Sequence, residues 1–143
     1  MTRIKIKTTV EANLNKAWDY FTQPKHVMNW NHASEDWECP QAINNLRIGG
    51  KFSYTMRAKD LSVSFNFEGV YVEIEHQKRI LYIMSDNDND KNARSVEIFF
   101  EKISESETRV IEIFDPESKN LIEMQKQGWQ SILDNYKQYT EQN

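Results

Sequence analysis

The chain has 143 residues with 22 acidic against 18 basic side chains, a length that suits one domain (residues 1–143) and a balance that provides no basic footprint for nucleic acid. No apolar run approaches the roughly 20 residues needed to cross a bilayer, Met1 to Val10 alternates instead of forming an apolar signal block, and the lone Cys39 excludes an internal disulfide, so a cytoplasmic protein is expected. Apolar residues make up only 38% of the chain, yet 17 are Phe, Trp or Tyr while Leu and Ala number 6 each, so rings either fill the core or line a cavity.

Ile4, Ile6, Thr8 and Val10 recur at every second position, the period of a half-buried strand. Asn13 is placed to cap a helix in which Leu14, Ala17, Trp18 and Phe21 recur at helical steps, and Pro24 opens a second short helix ending near Trp30. Between Asn31 and Leu46 the apolar repeats are too few to define an element, although Trp37 and Cys39 suit the inward side of a short strand. From Gly49-Gly50 the pattern is strand: Phe52, Tyr54 and Met56 alternate with Ser53, Thr55 and Arg57, and Lys59-Asp60 form a turn. Val63, Phe65 and Phe67 continue the alternation until the apolar phase flips after Gly69 to Val70, Val72 and Ile74, which reads as a β-bulge at the glycine.

Ile80 to Met84, Arg94 to Phe100 and Thr108 to Phe114 supply three more strands with short polar connections, an antiparallel meander. After Pro116 the period becomes helical to the end. Leu121, Ile122, Met124, Gly128, Trp129, Ile132, Leu133, Tyr136 and Tyr139 share one half of that helix, with Gln125 in its middle. The expected fold is α+β, with a curved antiparallel sheet of about six to seven strands wrapped around a long C-terminal helix and two short helices after the first strand.

Several residue groups invite a chemical reading. Asp86, Asp88, Asp90 and Glu97 match ligand positions of a calcium loop, but Lys91 replaces the glycine that loop requires and strand patterns flank it where helices belong, which favours a solvated hairpin loop. His32, Glu35 and Asp36 lack metal-ligand spacing, and an exposed loop histidine is the simpler reading. Neither a nucleophile elbow nor a phosphate loop is present, and Cys39 has no identifiable histidine partner, so no catalytic residue, metal ligand or cofactor is assigned.

Glu112 alternates with Val110 and Phe114 and on their inward face would be a desolvated carboxylate; in the opposite phase Arg109, Ile111 and Ile113 face inward and Glu112 lies in water. Gln125 suits a backbone hydrogen bond inside the domain, and Gly128 within a helix calls for either close approach to the sheet or open space beneath it.

The strings "AWDYFTQPKHVMNW" (Ala17 to Trp30), "GGKF" (Gly49 to Phe52), "FEGVY" (Phe67 to Tyr71) and "GWQSILDNY" (Gly128 to Tyr136), in this order over essentially the whole chain, resemble the START-like (SRPBCC) superfamily. Within it they resemble the family named for the activator of heat-shock protein 90 ATPase, and "WNHASEDWECP" (Trp30 to Pro40) is similar to its bacterial single-domain branch. The resemblance implies a helix-grip fold whose long helix and curved sheet enclose an apolar cavity that often takes lipids or other hydrophobic small molecules. It does not imply one activity, since lipid carriers, hormone receptors, polyketide cyclases and co-chaperones share the superfamily. The eukaryotic activators carry in addition an N-terminal domain that engages the chaperone, for which this chain leaves no room.

The leading expectation is a protein that binds a small apolar or aromatic molecule between sheet and helix. The expected cavity walls are Trp30, Trp37, Tyr54, Phe67, Tyr82, Glu112, Phe114, Met124, Gln125, Gly128 and Trp129, and for each of them ordinary core packing is the alternative. Two other functions stay open: a stress-related co-chaperone acting on heat-shock protein 90 through its surface, and a cyclase- or hydrolase-type enzyme using Glu112 as base. A homodimer through edge strands or exposed rings is equally open.

Overall fold

The computed structural model of the protein describes residues 3–85, 87 and 89–143. The first alternating segment is β1 (Ile4–Val10), with Ile4, Ile6 and Val10 buried and Lys5 and Lys7 in solvent. Asn13 Oδ1 accepts the Lys16 N–H at 2.8 Å and so caps α1 (Leu14–Thr22). Pro24 ends that helix, because the residue before a proline is driven out of the helical region; Gln23 sits at φ −78°, ψ 129°. The same proline then occupies the first turn of α2 (Pro24–Trp30), where a missing N–H leaves nothing unpaired.

The segment without a readable period contains β2 (Trp37–Asn44), an edge strand whose pairing with β3 (Lys51–Ala58) slips between Glu38 and Gln41. The slip interrupts the two-residue alternation, which is why the element is illegible as a pattern. β4 (Ser64–Glu75), β5 (Arg79–Ile83), β6 (Ser95–Ser104) and β7 (Glu107–Phe114) complete the meander, and β1 joins β7. The sheet has seven antiparallel strands in the order β1-β7-β6-β5-β4-β3-β2. Consecutive strands β1 and β2 therefore stand at opposite edges, and α1 with α2 must cross the open side of the sheet between them. The long helix α3 (Ile122–Gln142) packs against β1, α1 and α2. The architecture is α+β helix-grip: a curled sheet closed by a long C-terminal helix, with two short helices after the first strand.

The bend in β4 is not at Gly69. β4 pairs with β3 without interruption through Gly69, which lies opposite Phe52, and the register slip falls between Tyr71 and Glu73 on the β5 side, making Val72 the extra residue. Phe67 and Tyr71 thus keep one phase, and Ile74 rejoins the core beyond the bulge. Glycine is required at position 69 for a different reason. A Cβ there would lie 2.5 Å from Phe52 Cε2 and 2.9 Å from the Ile83 carbonyl oxygen, so the Phe52 ring crosses the strand at the one place without a side chain.

Rings fill the core end of the molecule. Phe21 and Trp30 meet Tyr136 edge-on at 5.1 and 5.3 Å, and Trp18 meets Phe100 at 4.9 Å. Their polar atoms are satisfied locally: Tyr136 Oη donates to the Ala17 carbonyl at 2.6 Å, and Trp30 Nε1 to the Tyr20 carbonyl at 2.9 Å. Among the described residues, no helix is long and apolar enough to cross a membrane.

Candidate functional site

Because α3 packs on β1 and on the short helices, it stands off from β3 and β4, and the space between is a cavity of about 420 Å³. Side chains from β2 to β7 and from all three helices line it; β1 contributes none. The lining is largely aromatic. Phe52, the ring that crosses Gly69, meets Tyr82 edge-on at 4.8 Å and Tyr54 at 5.0 Å. Trp129 of α3 closes the opposite side, stacked on Phe114 at 3.9 Å and touching Phe67 edge-on at 5.9 Å. This bridge joins helix to sheet across the gap that α3 leaves open.

Glu112 enters this apolar space from β7. Val110, Glu112 and Phe114 all face inward, and so does Thr108, which donates to the Ala12 carbonyl at 2.9 Å. Glu112 therefore takes the inward one of the two phases open to it, with Ile6 of β1 and Ile98 of β6 as its neighbours across the strands. Its side chain is 8% exposed, and among the described residues no hydrogen bond or ion pair reaches the carboxyl. Burial alone pushes the Glu112 carboxyl up to about 8, so at neutral pH it holds its proton. Burial likewise raises the Tyr82 and Tyr136 hydroxyls, and the nearby Glu112 adds to both.

Several other polar side chains on the wall have partners. Thr22 Oγ1 donates to the Trp18 carbonyl at 2.8 Å, Asn44 Nδ2 to the Thr22 carbonyl at 2.7 Å, and Tyr71 Oη to Asn44 Oδ1 at 2.6 Å. Arg94 Nε donates to the Asp115 carbonyl at 3.2 Å. α3 has no side-chain cap at Leu121, and Gln125 in its first turn bonds back to the loop that precedes the helix. Its Oε1 accepts the Glu117 N–H at 2.8 Å, and its Nε2 donates to the carbonyls of Asn120 at 2.9 Å and Glu117 at 3.1 Å. The loop at the rim of the cavity is thereby fastened to the helix.

Of the expected wall residues, Trp30, Tyr54, Phe67, Tyr82, Glu112, Gln125 and Trp129 lie around this space, and four do not. Trp37 lies beyond the lining, opposite Ala58 at the end of β3, with its ring 6.0 Å from that of Phe65. Phe114 is fully buried behind Trp129. Met124 is 63% exposed, since the first turn of α3 runs past the sheet. Gly128 faces open space: a Cβ there would meet nothing within 4 Å, so close packing is not what places a glycine in the helix.

Sequence reasoning missed Phe52 and Tyr71 as wall residues. Phe52 shares the alternation of Tyr54 and Met56 and was legible, whereas Tyr71 was hidden by placing the bulge at Gly69 instead of at Val72.

The remaining sequence candidates do not gather into a site. Asp86 and Asp88 lie outside the described residues, and Glu97 is engaged by Arg3 at 3.0 Å and Arg79 at 2.8 Å. His32 is half-buried, with its Nδ1 unpartnered and its pKa lowered by burial, where an exposed loop histidine was expected. Cys39 is buried and burial pushes its thiol up, which makes it a small apolar side chain. Among the described residues no three His, Cys, Asp or Glu side chains are grouped to hold a metal ion.

A comparison with curated proteins found no match. Solved structures match closely: the AHSA1-like protein from Aeromonas hydrophila is 33% identical with a TM-score of 0.87, over 99% of this chain and 93% of that one. The protein Chr148 from Cytophaga hutchinsonii is 42% identical with a TM-score of 0.80 over the same shares. CV1439 from Chromobacterium violaceum, 18% identical with a TM-score of 0.82 over 99% of both chains, shares the fold. The family described as Activator of Hsp90 ATPase homolog 1-like protein matches residues 11–141, and with that span and those relatives the chain belongs to this family.

Proposed function

We propose that the protein binds a small apolar or aromatic molecule in the cavity between β2–β7 and α3. The observation that carries this reading is the cavity itself: about 420 Å³, within the range of about 300–1,000 Å³ usual for small-molecule sites, walled by rings and holding one buried carboxyl. A chain selected only for stability would fill such a space, because unfilled apolar volume costs about 24 cal/mol per Å³.

Native mass spectrometry of gently purified protein, together with a thermal-shift panel of lipophiles, tests the proposal. A co-purified mass or a rise in Tm with apolar compounds supports it; a bare mass and an unmoved Tm across the panel refute it.

A second reading is favoured by the exposed apolar side chains Leu61, Val63 and Phe65 around β4 and Leu121, Ile122 and Met124 at the start of α3. It is a surface-acting co-chaperone of heat-shock protein 90, in keeping with the family's name. It requires altered ATP turnover by a bacterial heat-shock protein 90, and unchanged turnover at saturating protein ends it. An enzyme using Glu112 as base has less support, since the carboxyl holds its proton up to about pH 8.

A further inference from the structure

Resting on the cavity reading above, we propose that the occupant is an organic cation: an apolar or aromatic molecule carrying a protonated amine, with its nitrogen at Glu112. The polar groups on the wall narrow the choice. Thr22, Asn44, Tyr71 and Gln125 are engaged with protein partners, and Arg94 donates from Nε to the Asp115 carbonyl. Among the described residues, the Glu112 carboxyl and the Tyr82 hydroxyl have no hydrogen-bond partner, and both face the space. Both can accept a hydrogen bond, which is what an ammonium N–H needs.

The walls point the same way. Ring faces attract cations through their quadrupole, and Trp30, Phe52, Tyr54, Phe67, Tyr82 and Trp129 surround the space. A neutral hydrocarbon would fill it but leave a carboxyl buried without a partner, which is the arrangement that burial penalises. An ammonium supplies the missing opposite charge.

The charged and titratable groups facing Glu112 are few. Tyr82 comes from β5, Tyr136 from α3, Tyr54 from β3 and Tyr71 from β4, all raised by burial and so neutral at assay pH. Arg94, just before β6, and Glu117, before α3, are also on the wall, while the cross-strand neighbours on β1 and β6 are Ile6 and Ile98. Arg94 makes no ion pair with Glu112. Glu112 is thus the group whose protonation changes when a cation arrives. The ammonium keeps its protons, the Glu112 O–H bond breaks, and that proton leaves to solvent as the carboxylate pairs with the nitrogen. With a free-site value of about 8, about 0.9 proton is released per ligand at pH 7.

Three probes with one skeleton test this by isothermal titration calorimetry at pH 7 in two buffers of different ionisation heat: 2-naphthylmethylamine, neutral 2-naphthylmethanol and 2-naphthoate. The amine is expected to bind at least tenfold tighter than the alcohol and to release close to one proton, and in Glu112→Gln its advantage over the alcohol and the proton release should both disappear. The wild-type proton count needs no variant and stands if the substitution disturbs folding. Equal binding of amine and alcohol, or tighter binding of the naphthoate through Arg94, overturns the cation and leaves the cavity reading intact. Failure of all three to bind the wild-type protein overturns both.

Discussion

Glu112→Gln tests the central electrostatic claim through stability alone, without a ligand. The carboxyl titrates near 4.5 in an unperturbed environment and near 8 in the folded protein. Below about pH 4.5 both states hold the proton and the residue contributes nothing to pH dependence. As pH rises, the unfolded chain loses its proton first, so the folded state binds more protons and stability falls by about 1.36 kcal/mol per pH unit until about pH 8. The loss is about 3 kcal/mol by pH 7 and about 5 kcal/mol above pH 8, a large fraction of the 5–15 kcal/mol that holds a typical domain together.

The glutamine amide has the same shape and no titration. Its unpartnered N–H groups cost a constant amount, so the informative quantity is the slope of the difference between variant and wild type. Urea unfolding at pH 5, 7 and 9 should show the variant gaining on wild type by about 4 kcal/mol from pH 5 to pH 9. His26 and His32, both lowered by burial, are common to the two proteins, so their contribution cancels in the difference. A difference that stays flat from pH 5 to pH 9 would mean that Glu112 is ionised in the folded protein, and the argument for an unpartnered carboxyl in an apolar cavity would fail.

Two glycines provide opposite tests of the backbone. Gly69→Ala places a methyl group 2.5 Å from the Phe52 ring and should cost about 2 kcal/mol in urea unfolding, part of it recovered when Phe52→Leu is added; an unchanged midpoint would refute the close approach. Gly128→Ala meets nothing within 4 Å and should stabilise the protein by up to about 1 kcal/mol through helix propensity alone, and a loss of stability would show that the space beside α3 is filled.

Most elements were legible because their cause is local. Asn13 and Pro24 write the borders of α1 and α2 into a few residues, and the alternations of Ile4 to Val10 and Phe52 to Met56 need only the two-residue period of a strand with one wet face. The ring content likewise announced a core or cavity rich in aromatics. β2 escaped because a register slip breaks its period, and the bulge in β4 was misplaced because a glycine signals either a bulge or a close approach, and only the position of Phe52 distinguishes them.

The site depended on relations that no local pattern holds. Both phases of β7 carry apolar residues, so the inward turn of Glu112 follows from β7 lying between β1 and β6, where one face is committed to the core. Phe114 and Trp129 stood as equal candidates, and the docking of α3 places one behind the other. Strand and helix periods assign side chains to faces. How far α3 stands from β3 and β4, and therefore whether those faces meet or leave 420 Å³ between them, is set by its packing on β1, α1 and α2 at distant points of the chain.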